Sequence, residues 1–429
     1  MRFSNRWVQL VSGIAAMIAV ANFQYSWTLF VLPLHDRHGW EEQQIQYALY
    51  LFFVPAQTWL VPLEGYLAER FGPRRLLIAG AAAAGLGWTI NAATSSLAML
   101  YAAQVLAGCG SGIVYSISMG NALKWFPDRR GLAAGLTAAA FGAGSAATVR
   151  PTRWTILHRG YEQAFLWFGL GQALVVILAA LILRFPRPGE TPALAHSRVL
   201  QSGREYTPGE MLRTPGFWLS YCMMAMGAIP GLLMLGYIAP LARDFGVAET
   251  SVTLLGVSSA ALPLAMELDR IMGGFTRPVF GWISDHIGRE IAIFLAFALE
   301  GLALGLLLQL GQKPILFVLM SGLAFFGWGA VFSLFPAVSG DMFGGKFATT
   351  NYSLLYTAKG AASLLVALCD LLRTHTGSWT PVFAVMIAAD GIAALLALLV
   401  LRPLRARLAR REEAKRKAEA NRLGDSGPG

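Results

Sequence analysis

Long apolar stretches separated by short polar segments dominate this chain. Each stretch holds about 20 residues, which is the length that a helix needs to cross a hydrocarbon layer of roughly 30 Å. Segments of about ten residues with alternating polarity, as membrane β-strands require, do not recur, so helix is the predicted structure. The pattern predicts twelve spans, at about 8–33, 43–63, 75–94, 97–122, 130–150, 161–184, 215–241, 249–276, 290–310, 314–338, 350–372 and 380–402.

The composition also favours an integral membrane protein. Of the 429 residues, 55% are hydrophobic and 14% are charged, whereas about a quarter of a typical soluble domain is charged. No small-residue cleavage pattern follows the first span, so we interpret it as a retained helix and not as a signal peptide. The three cysteines lie inside apolar segments without CxxC spacing, which predicts neither a disulfide framework nor a metal site.

Lysine and arginine are distributed unevenly between the two sides of the predicted helices. If both termini are cytoplasmic, 24 of the 34 Lys and Arg residues lie on the cytoplasmic side, 7 lie outside and 3 lie within spans. This bias predicts cytoplasmic termini, in a bacterial inner membrane. It also explains most of the net charge of +10, so that no nucleic-acid partner is expected and the basic tail is interpreted as a helix beside anionic lipid.

The longest polar interruption divides the spans six and six. It predicts an N-terminal six-helix bundle over 1–184, a cytoplasmic central loop over 185–213, a C-terminal six-helix bundle over 214–402 and a basic cytoplasmic tail over 403–429. The two halves also echo each other. The segment GYLAERFGPRR, which starts at Gly65, follows span 2, and the segment GWISDHIGR, which starts at Gly281, follows span 8.

In both repeated segments an acid lies at a helix end, and a glycine turns the chain before a basic residue. Such an acid can hold an arginine or the N-terminus of a neighbouring helix in one conformational state and release it in another. We therefore assign Glu69, Arg70, Asp285 and Arg289 to gating or structure. The segments resemble the loop motif of the major facilitator superfamily, although Glu69 stands where Asp is commoner. The resemblance implies an all-α membrane protein with two pseudo-symmetric six-helix bundles, which rock around a site near the bilayer midplane.

Sequence signals for enzyme chemistry are absent. No GxxxxGK[ST] segment occurs, and the glycine-rich run at 108–112 is interpreted as close helix packing within span 4. His35 and His38 lack a third ligand for a metal, and no nucleophile–histidine arrangement can be placed around one cavity. We expect no catalytic residue, no cofactor and no metal, and an ion or solute gradient as the energy source.

Two cations inside predicted spans carry the clearest functional signal. An ionised side chain at the bilayer centre costs roughly 2.5–3.5 kcal/mol on insertion scales. Arg270 of span 8 and Lys359 of span 11 both lie near mid-depth by residue count. If they face one cavity, they predict an anionic substrate with two separated groups of negative oxygens.

Structural ion pairing is the alternative interpretation of these cations. Glu267 stands three residues before Arg270, at a spacing that permits a direct pair on a helix, and Asp269 and Asp370 are further acids within spans. For Arg277, beside Pro278 and close to the loop motif, a gating or structural role is predicted instead.

Aromatic side chains surround the predicted cations. Tyr352, Tyr356 and Lys359 share one face of span 11, because their spacing is i, i+4, i+7. Aromatic walls would exclude water and favour a small planar anion, oriented by Gln and Tyr donors. The predicted wall residues are Gln24, Tyr25, Tyr115, Phe141, Trp328, Phe332 and Tyr356.

A narrower resemblance rests on five segments. These are NFQYSWTLF at 22–30, GNALKWFPDRRG at 120–131, LDR at 268–270, RPVFGWISD at 277–285 and LYTAKG at 355–360, which resemble the oxalate/formate antiporter branch of the superfamily. The resemblance implies that Arg270 and Lys359 bind the two carboxylates and that the aromatic residues enclose the substrate. Phe141, Phe332 and Tyr356 depart from the Tyr or Trp of some members, and the roles of Arg150 and Arg153 stay open.

The predicted function is transport of small organic anions by alternating access, with exchange of oxalate for formate as the first hypothesis. The predicted partners are a small carboxylate and membrane lipid, and a monomer is expected. One alternative is proton-coupled symport of a monocarboxylate, in which Glu267 or Asp269 titrates. A second alternative, of another class, is an anion sensor that signals through the basic tail.

Overall fold

The computed structural model describes residues 5–191, 200–202, 204–254 and 256–408. Most of the predicted tail lies outside these residues. The sensor hypothesis depends on the tail, so the structure does not bear on it. Helices make up most of the described chain. We use "N-terminal half" for the helices before residue 185 and "C-terminal half" for those from 215 onward; the predicted division into domains remains a proposal.

The N-terminal half contains nine α-helices, several of which are pieces of one span. They are α1 (Arg6–Tyr25), α2 (Thr28–His38), α3 (Glu42–Tyr47), α4 (Val54–Trp59), α5 (Val61–Phe71), α6 (Pro73–Ala92), α7 (Leu97–Trp125), α8 (Arg130–Arg159) and α9 (Tyr161–Ile182), with a π-helix (Ala48–Phe53) between α3 and α4. Predicted span 2 is thus a broken helix. Proline at the first turn of both α4 and α5 accounts for two of its interruptions, since proline lacks the N–H that a helix interior needs.

The C-terminal half follows a short helix, α10 (Pro208–Leu212), in the central loop. It contains α11 (Pro215–Asp244), β1 (Ser251–Leu254), β2 (Val257–Ala260), α12 (Ala261–Ile287), α13 (Arg289–Leu310), α14 (Pro314–Gly329), α15 (Val331–Phe343), α16 (Ala348–Thr376) and α17 (Thr380–Leu396), and a π-helix (Ala397–Leu401) continues α17. Predicted span 10 is divided into α14 and α15 at Ala330.

The start of predicted span 8 is wrong. Residues 251–260 form an antiparallel hairpin, β1–β2, whose strands are joined by a hydroxyl contact of 2.7 Å between Thr253 and Ser258. Gly256 adopts a left-handed φ of 82°, which favours glycine in the turn. The helix therefore begins at Ala261 and extends to Ile287, about eleven residues beyond the predicted end.

The two repeated segments form equivalent turns. α5 ends at Gly72 with φ 88°, and α12 ends at Gly288 with φ 97°, and the next helix begins at once in both. We call the end of the molecule where these turns lie the motif end. Near it α8 and α12 of different halves touch closely, because a methyl group on Gly131 would collide with the carbonyl oxygen of Gly281.

Nine helices of the described residues are long and apolar enough to cross a membrane. Predicted spans 2, 3 and 8 are not among them. Span 2 is interrupted by its π-helix, and α12 is unusually polar because it contains Glu267, Asp269, Arg270 and Arg277. The twelve predicted spans nevertheless all correspond to helices, although span 2 is a broken one and the chain of span 8 begins with the hairpin.

Candidate substrate-binding site

A narrow cavity lies between the two halves. α1, α7 and α8 contribute to it from the N-terminal half, and α11, α12, α14, α15 and α16 contribute from the C-terminal half. Its lining residues are Gln24, Tyr25, Tyr115, Phe141, Leu232, Leu235, Arg277, Trp328, Phe332, Tyr356 and Lys359. The structure thus brings together all seven predicted wall residues and one of the two predicted cations. No acid is present among these lining residues, so the charge at the cavity wall is positive.

The structure places only one of the two predicted cations, Lys359, at the cavity. Arg277 lines the cavity beside Lys359, and Arg270 does not. The two arginines are seven residues apart and so share one face of α12, at depths that differ by about 10 Å. The predicted depth assumed that the helix of span 8 covers 249–276. The β1–β2 hairpin occupies the first part of this range and the helix extends to Ile287, so Arg270 lies farther from the motif end than predicted. Arg270 is half-buried, two turns nearer the opposite end than Arg277.

The ammonium group of Lys359 is held among aromatic groups. Its Nζ donates to the hydroxyl oxygen of Tyr356 at 3.1 Å, and it lies 5.8 Å from the ring centroid of Phe332. The side chain is only 4% exposed. Cation–π attraction and one neutral acceptor replace only part of the hydration that burial removes. The ammonium is therefore prepared to accept a negatively charged ligand.

Arg277 reaches from the C-terminal half to the backbone of the N-terminal half. Its Nη1 donates to the carbonyl oxygen of Ala138 on α8, and its Cζ lies 5.2 Å from the ring centroid of Phe332. Gly142, one turn further along α8, makes room for the guanidinium: a methyl group there would lie 2.8 Å from Nη1. Arg277 Nε has no partner, which leaves a donor for a ligand.

The aromatic walls form two groups of ring contacts around the cavity. Tyr115 of the N-terminal half stacks on Tyr356 of the C-terminal half with centroids 4.5 Å apart, and it meets Phe141 edge to face at 5.3 Å. Tyr25 also contacts Phe141, at 5.6 Å. On the other side Trp328 meets Phe332 at 5.1 Å. Rings this close leave room for a small ligand only.

Besides Arg277 Nε, two polar side-chain atoms at the cavity have no partner within the protein. They are Oε1 of Gln24 and Nε1 of Trp328. A buried donor or acceptor without a partner costs free energy, and a ligand that completes it recovers that cost. These two atoms, together with Arg277 Nε, could orient a carboxylate.

The gating residues predicted from the first loop motif lie at a contact between the halves. Glu69 accepts hydrogen bonds from the N–H of Thr349 at 3.1 Å and the hydroxyl of Thr350 at 2.6 Å, at the N-terminus of α16. It also pairs with Lys124 at 3.1 Å. Arg70 is exposed and lies over the ring of Phe71. The acid of the motif therefore bridges the two halves, and the arginine does not.

The second motif forms the matching contact. Asp285 accepts hydrogen bonds from the N–H groups of Gly131 at 3.0 Å and Leu132 at 2.8 Å, at the N-terminus of α8. Arg289 pairs with Asp285 at 2.6 Å. A carboxylate is favourable at a helix N-terminus, because the first N–H groups are free there. The motif end is thus closed by one such contact from each half.

An ion-pair network that the sequence analysis missed reinforces this closure. Asp341 at the end of α15 pairs with Arg130 of the other half at 3.1 Å and with Arg289 at 2.8 Å. Arg405 pairs with Glu290 at 2.6 Å. The corresponding signal in the sequence is the DRR run at 128–130, which belongs to one of the segments that carry the family resemblance.

Comparison with known proteins identifies the class of protein. A family model described as the Major Facilitator Superfamily matches residues 13–268 and 231–424. The chain belongs to this superfamily, which confirms the predicted fold class. It is a membrane transporter and not an enzyme.

Among its relatives is the oxalate:formate antiporter of Oxalobacter formigenes. The two chains are 33% identical over 399 residues, which covers 92% of each, so the predicted oxalate/formate branch is confirmed. Human monocarboxylate transporter 11 is 27% identical over 75% of this chain and 67% of its own. The solved structure of the proton:xylose symporter XylE superposes with a TM-score of 0.70 at 13% identity, covering 93% of this chain and 96% of that one.

Proposed function

We propose that this protein exchanges small carboxylates across a bacterial cytoplasmic membrane, with oxalate entering against formate. The observation that carries the proposal is the pair formed by Arg277 and Lys359. Both cations are buried at 4% exposure, and both line an aromatic cavity without an acid among its lining residues. A cavity with two unneutralised positive charges is complementary to a dianion.

Charge compensation explains why such a site would exchange and not leak. Closing the empty cavity would hold two like charges in a medium of low dielectric constant, at a cost of several kcal/mol. Oxalate removes this cost through a bidentate contact with the Arg277 guanidinium and a point-charge contact with Lys359. Formate neutralises one charge and supports the return step. Since a dianion is exchanged for a monoanion, the membrane potential acts on the rate.

The bonds that a substrate must replace are weak ones. Arg277 exchanges the carbonyl oxygen of Ala138 for a carboxylate, and Lys359 exchanges the hydroxyl of Tyr356. Both present acceptors are neutral, whereas hydrogen bonds to a charged acceptor are roughly twice as strong. Release of the Ala138 carbonyl also removes one bond between the two halves, which links binding to rocking.

The relative from Oxalobacter formigenes supports the same cargo, because its name states oxalate:formate antiport and its identity of 33% extends over 92% of this chain. We assign the closed motif end to the cytoplasmic side, so the contacts there block passage between the cavity and the cytoplasm in this conformation. Transport then requires that the contacts of Glu69 and Asp285 open.

Reconstituted vesicles test the proposal. Vesicles loaded with formate or with oxalate should take up labelled oxalate, and empty vesicles should not. Arg277→Gln and Lys359→Gln should each abolish uptake, whereas Arg270→Gln should retain most of it. Uptake into empty vesicles at the rate of loaded ones would refute obligatory exchange. Full activity of Arg277→Gln would refute the assignment of the site.

Proton-coupled symport of a monocarboxylate is the second candidate, and one observation favours it. Of the two acids predicted for this role, Asp269 is buried at 3% exposure, whereas Glu267 is exposed. Monocarboxylate transporters are also among the relatives. Uptake of lactate driven by a pH gradient into empty vesicles, and lost in Asp269→Asn, would support symport in place of exchange.

A further inference from the structure

Two carboxyl side chains approach each other inside the C-terminal half, outside the substrate cavity. Glu300 lies near the middle of α13 and Asp390 near the middle of α17, and they are 1% and 0% exposed. The two helices pack closely at this level: a methyl group on Gly301 would lie 3.5 Å from Cβ and 3.9 Å from Oδ2 of Asp390. Glu300, the residue next to Gly301, and Asp390 therefore lie at the same level of one helix–helix contact.

Most of the oxygen atoms of the pair are left without a hydrogen-bond partner. Oε2 of Glu300 and both carboxyl oxygens of Asp390 are buried and make no hydrogen bond. All three belong to carboxyl groups, whose burial without a partner costs more free energy than that of a neutral polar group. They indicate a ligand with positive charge or with hydrogen to donate.

Five described cations near these helices are engaged elsewhere. Arg277 and Lys359 line the substrate cavity, Arg289 and Arg405 belong to the network at the motif end, and Arg373 pairs with Asp244 at the opposite end. α14 contains no charged residue. The other described charged groups on the helices packed against α13 and α17 are the cations Arg243 and Arg270 and the acids Asp244, Glu267, Asp269, Asp285, Glu290 and Asp341. Within the described part of the chain, no ion pair compensates Glu300 or Asp390.

Two ionised carboxylates cannot coexist in such a place. Each charge would be buried without a partner, and the two would repel each other. A proton from solvent removes the conflict, because one protonated carboxyl can donate to the other or both can be neutral. We propose that Glu300 and Asp390 form a proton-binding site in the C-terminal half, so that the proton is a second ligand of this transporter.

The site lies directly behind the cavity wall. A methyl group on Gly327 of α14 would lie 2.7 Å from Cβ of Glu300, and the next residue, Trp328, lines the cavity. α14 ends two residues after Gly327, at the break in span 10. The pair is therefore separated from the cavity by one helix, α14. It also lies next to the point at which the helix of span 10 is interrupted.

Infrared spectroscopy of the purified protein in lipid nanodiscs tests the site without relying on transport. Protonated carboxylic acids give a carbonyl band that is distinct from that of ionised carboxylates and shifts in D₂O. We expect the wild type to have more of this band at neutral pH than the double variant Glu300→Gln/Asp390→Asn. The difference between the two spectra isolates this pair from other buried acids such as Glu64 and Asp269. Glu267→Gln, an exposed acid of α12, is the matched control and should leave the band unchanged.

Thermal unfolding provides a second measurement that is independent of the spectra. Gln and Asn mimic the protonated acids, so the double variant should fold and should have a melting temperature that depends less on pH. The wild type should lose stability relative to the variant as the pH rises, because ionisation of the pair is disfavoured in the folded state. Identical carboxylic-acid bands in wild type and double variant would overturn the proposal. So would a band that disappears when sodium chloride replaces choline chloride, because the pair would then be a sodium site.

Discussion

Arg277 and Lys359 lie against the same aromatic ring. The guanidinium carbon is 5.2 Å and the ammonium nitrogen 5.8 Å from the centroid of Phe332. The two like charges come from different helices, α12 and α16, and the electron-rich ring attracts both. The dicarboxylate of the proposed function would present its two negative groups to both cations beside this ring.

Arg277→Lys should impair oxalate exchange although it conserves the charge. Lysine lacks the planar fork that binds a carboxylate through two parallel hydrogen bonds, and it cannot reach the Ala138 carbonyl in the same geometry. Loss of one charge-assisted hydrogen bond should raise the oxalate concentration needed for half-maximal exchange by roughly tenfold to hundredfold. Competition by unlabelled oxalate in proteoliposomes measures this concentration. Arg270→Lys is the control, and an equal loss in both variants would show that Arg277 has no special role.

Gly142→Ala should also weaken transport, through sterics alone. The added methyl group would lie 2.8 Å from Nη1 of Arg277 and would push the guanidinium from its place against α8. Overpacking of this kind costs about 1–3 kcal/mol, so a drop in the exchange rate of about tenfold is expected. Gly171→Ala is the matched control, because a methyl group there has no neighbour within 4 Å. Unchanged exchange in Gly142→Ala would contradict this role for the glycine.

The aromatic cavity illustrates how much of the site could be predicted from the sequence. Helical periodicity placed Tyr356 and Lys359 on one face of α16, and both line the cavity, as do the other predicted wall residues. Periodicity says which residues share a face but not how deep they lie. Depth was inferred from the span ends, and the unpredicted hairpin at 251–260 displaced α12 by about three turns. Arg270 and Arg277 share a face, so the displacement exchanged one for the other.

The pair of Glu300 and Asp390 shows the other limit of the sequence. The two residues are 90 positions apart, and each appears as a lone acid in an apolar span. Only the packing of α13 against α17 brings them together. The Asp341 network was missed for the same reason, since Arg130, Arg289 and Arg405 come from three distant parts of the chain.

Asp341→Asn should destabilise the protein more than a surface substitution does. Asp341 is 1% exposed, and its removal leaves, among the described residues, the buried guanidinium group of Arg130 without a carboxylate partner and that of Arg289 with Asp285 alone. Breaking a buried ion pair from one side costs about 3–5 kcal/mol. Thermal unfolding in detergent measures the change as a lower melting temperature. Asp244→Asn removes an exposed ion pair with Arg373, for which about 0–1 kcal/mol is expected. Equal shifts for the two variants would contradict the importance of the network.

Glu69→Gln should open the motif end. The carboxylate accepts two hydrogen bonds at the N-terminus of α16, which belongs to the other half, and it pairs with Lys124 of its own half. Glutamine retains the shape and loses the charge, which removes the attraction to the first N–H groups of the helix. The closed conformation should then be less populated.

Spin labels on exposed positions at the motif end can measure this shift. We suggest Arg70→Cys on α5 and Lys346→Cys before α16, in a variant without the three native cysteines. Electron–electron double resonance should show longer and broader distances between the labels in Glu69→Gln than in the parent. Glu249→Gln, which removes an exposed acid between α11 and β1, should leave the distances unchanged. If Glu69→Gln also leaves them unchanged, the network around Asp341 holds the motif end closed by itself. The motif acid then has no gating role, because opening does not depend on its charge.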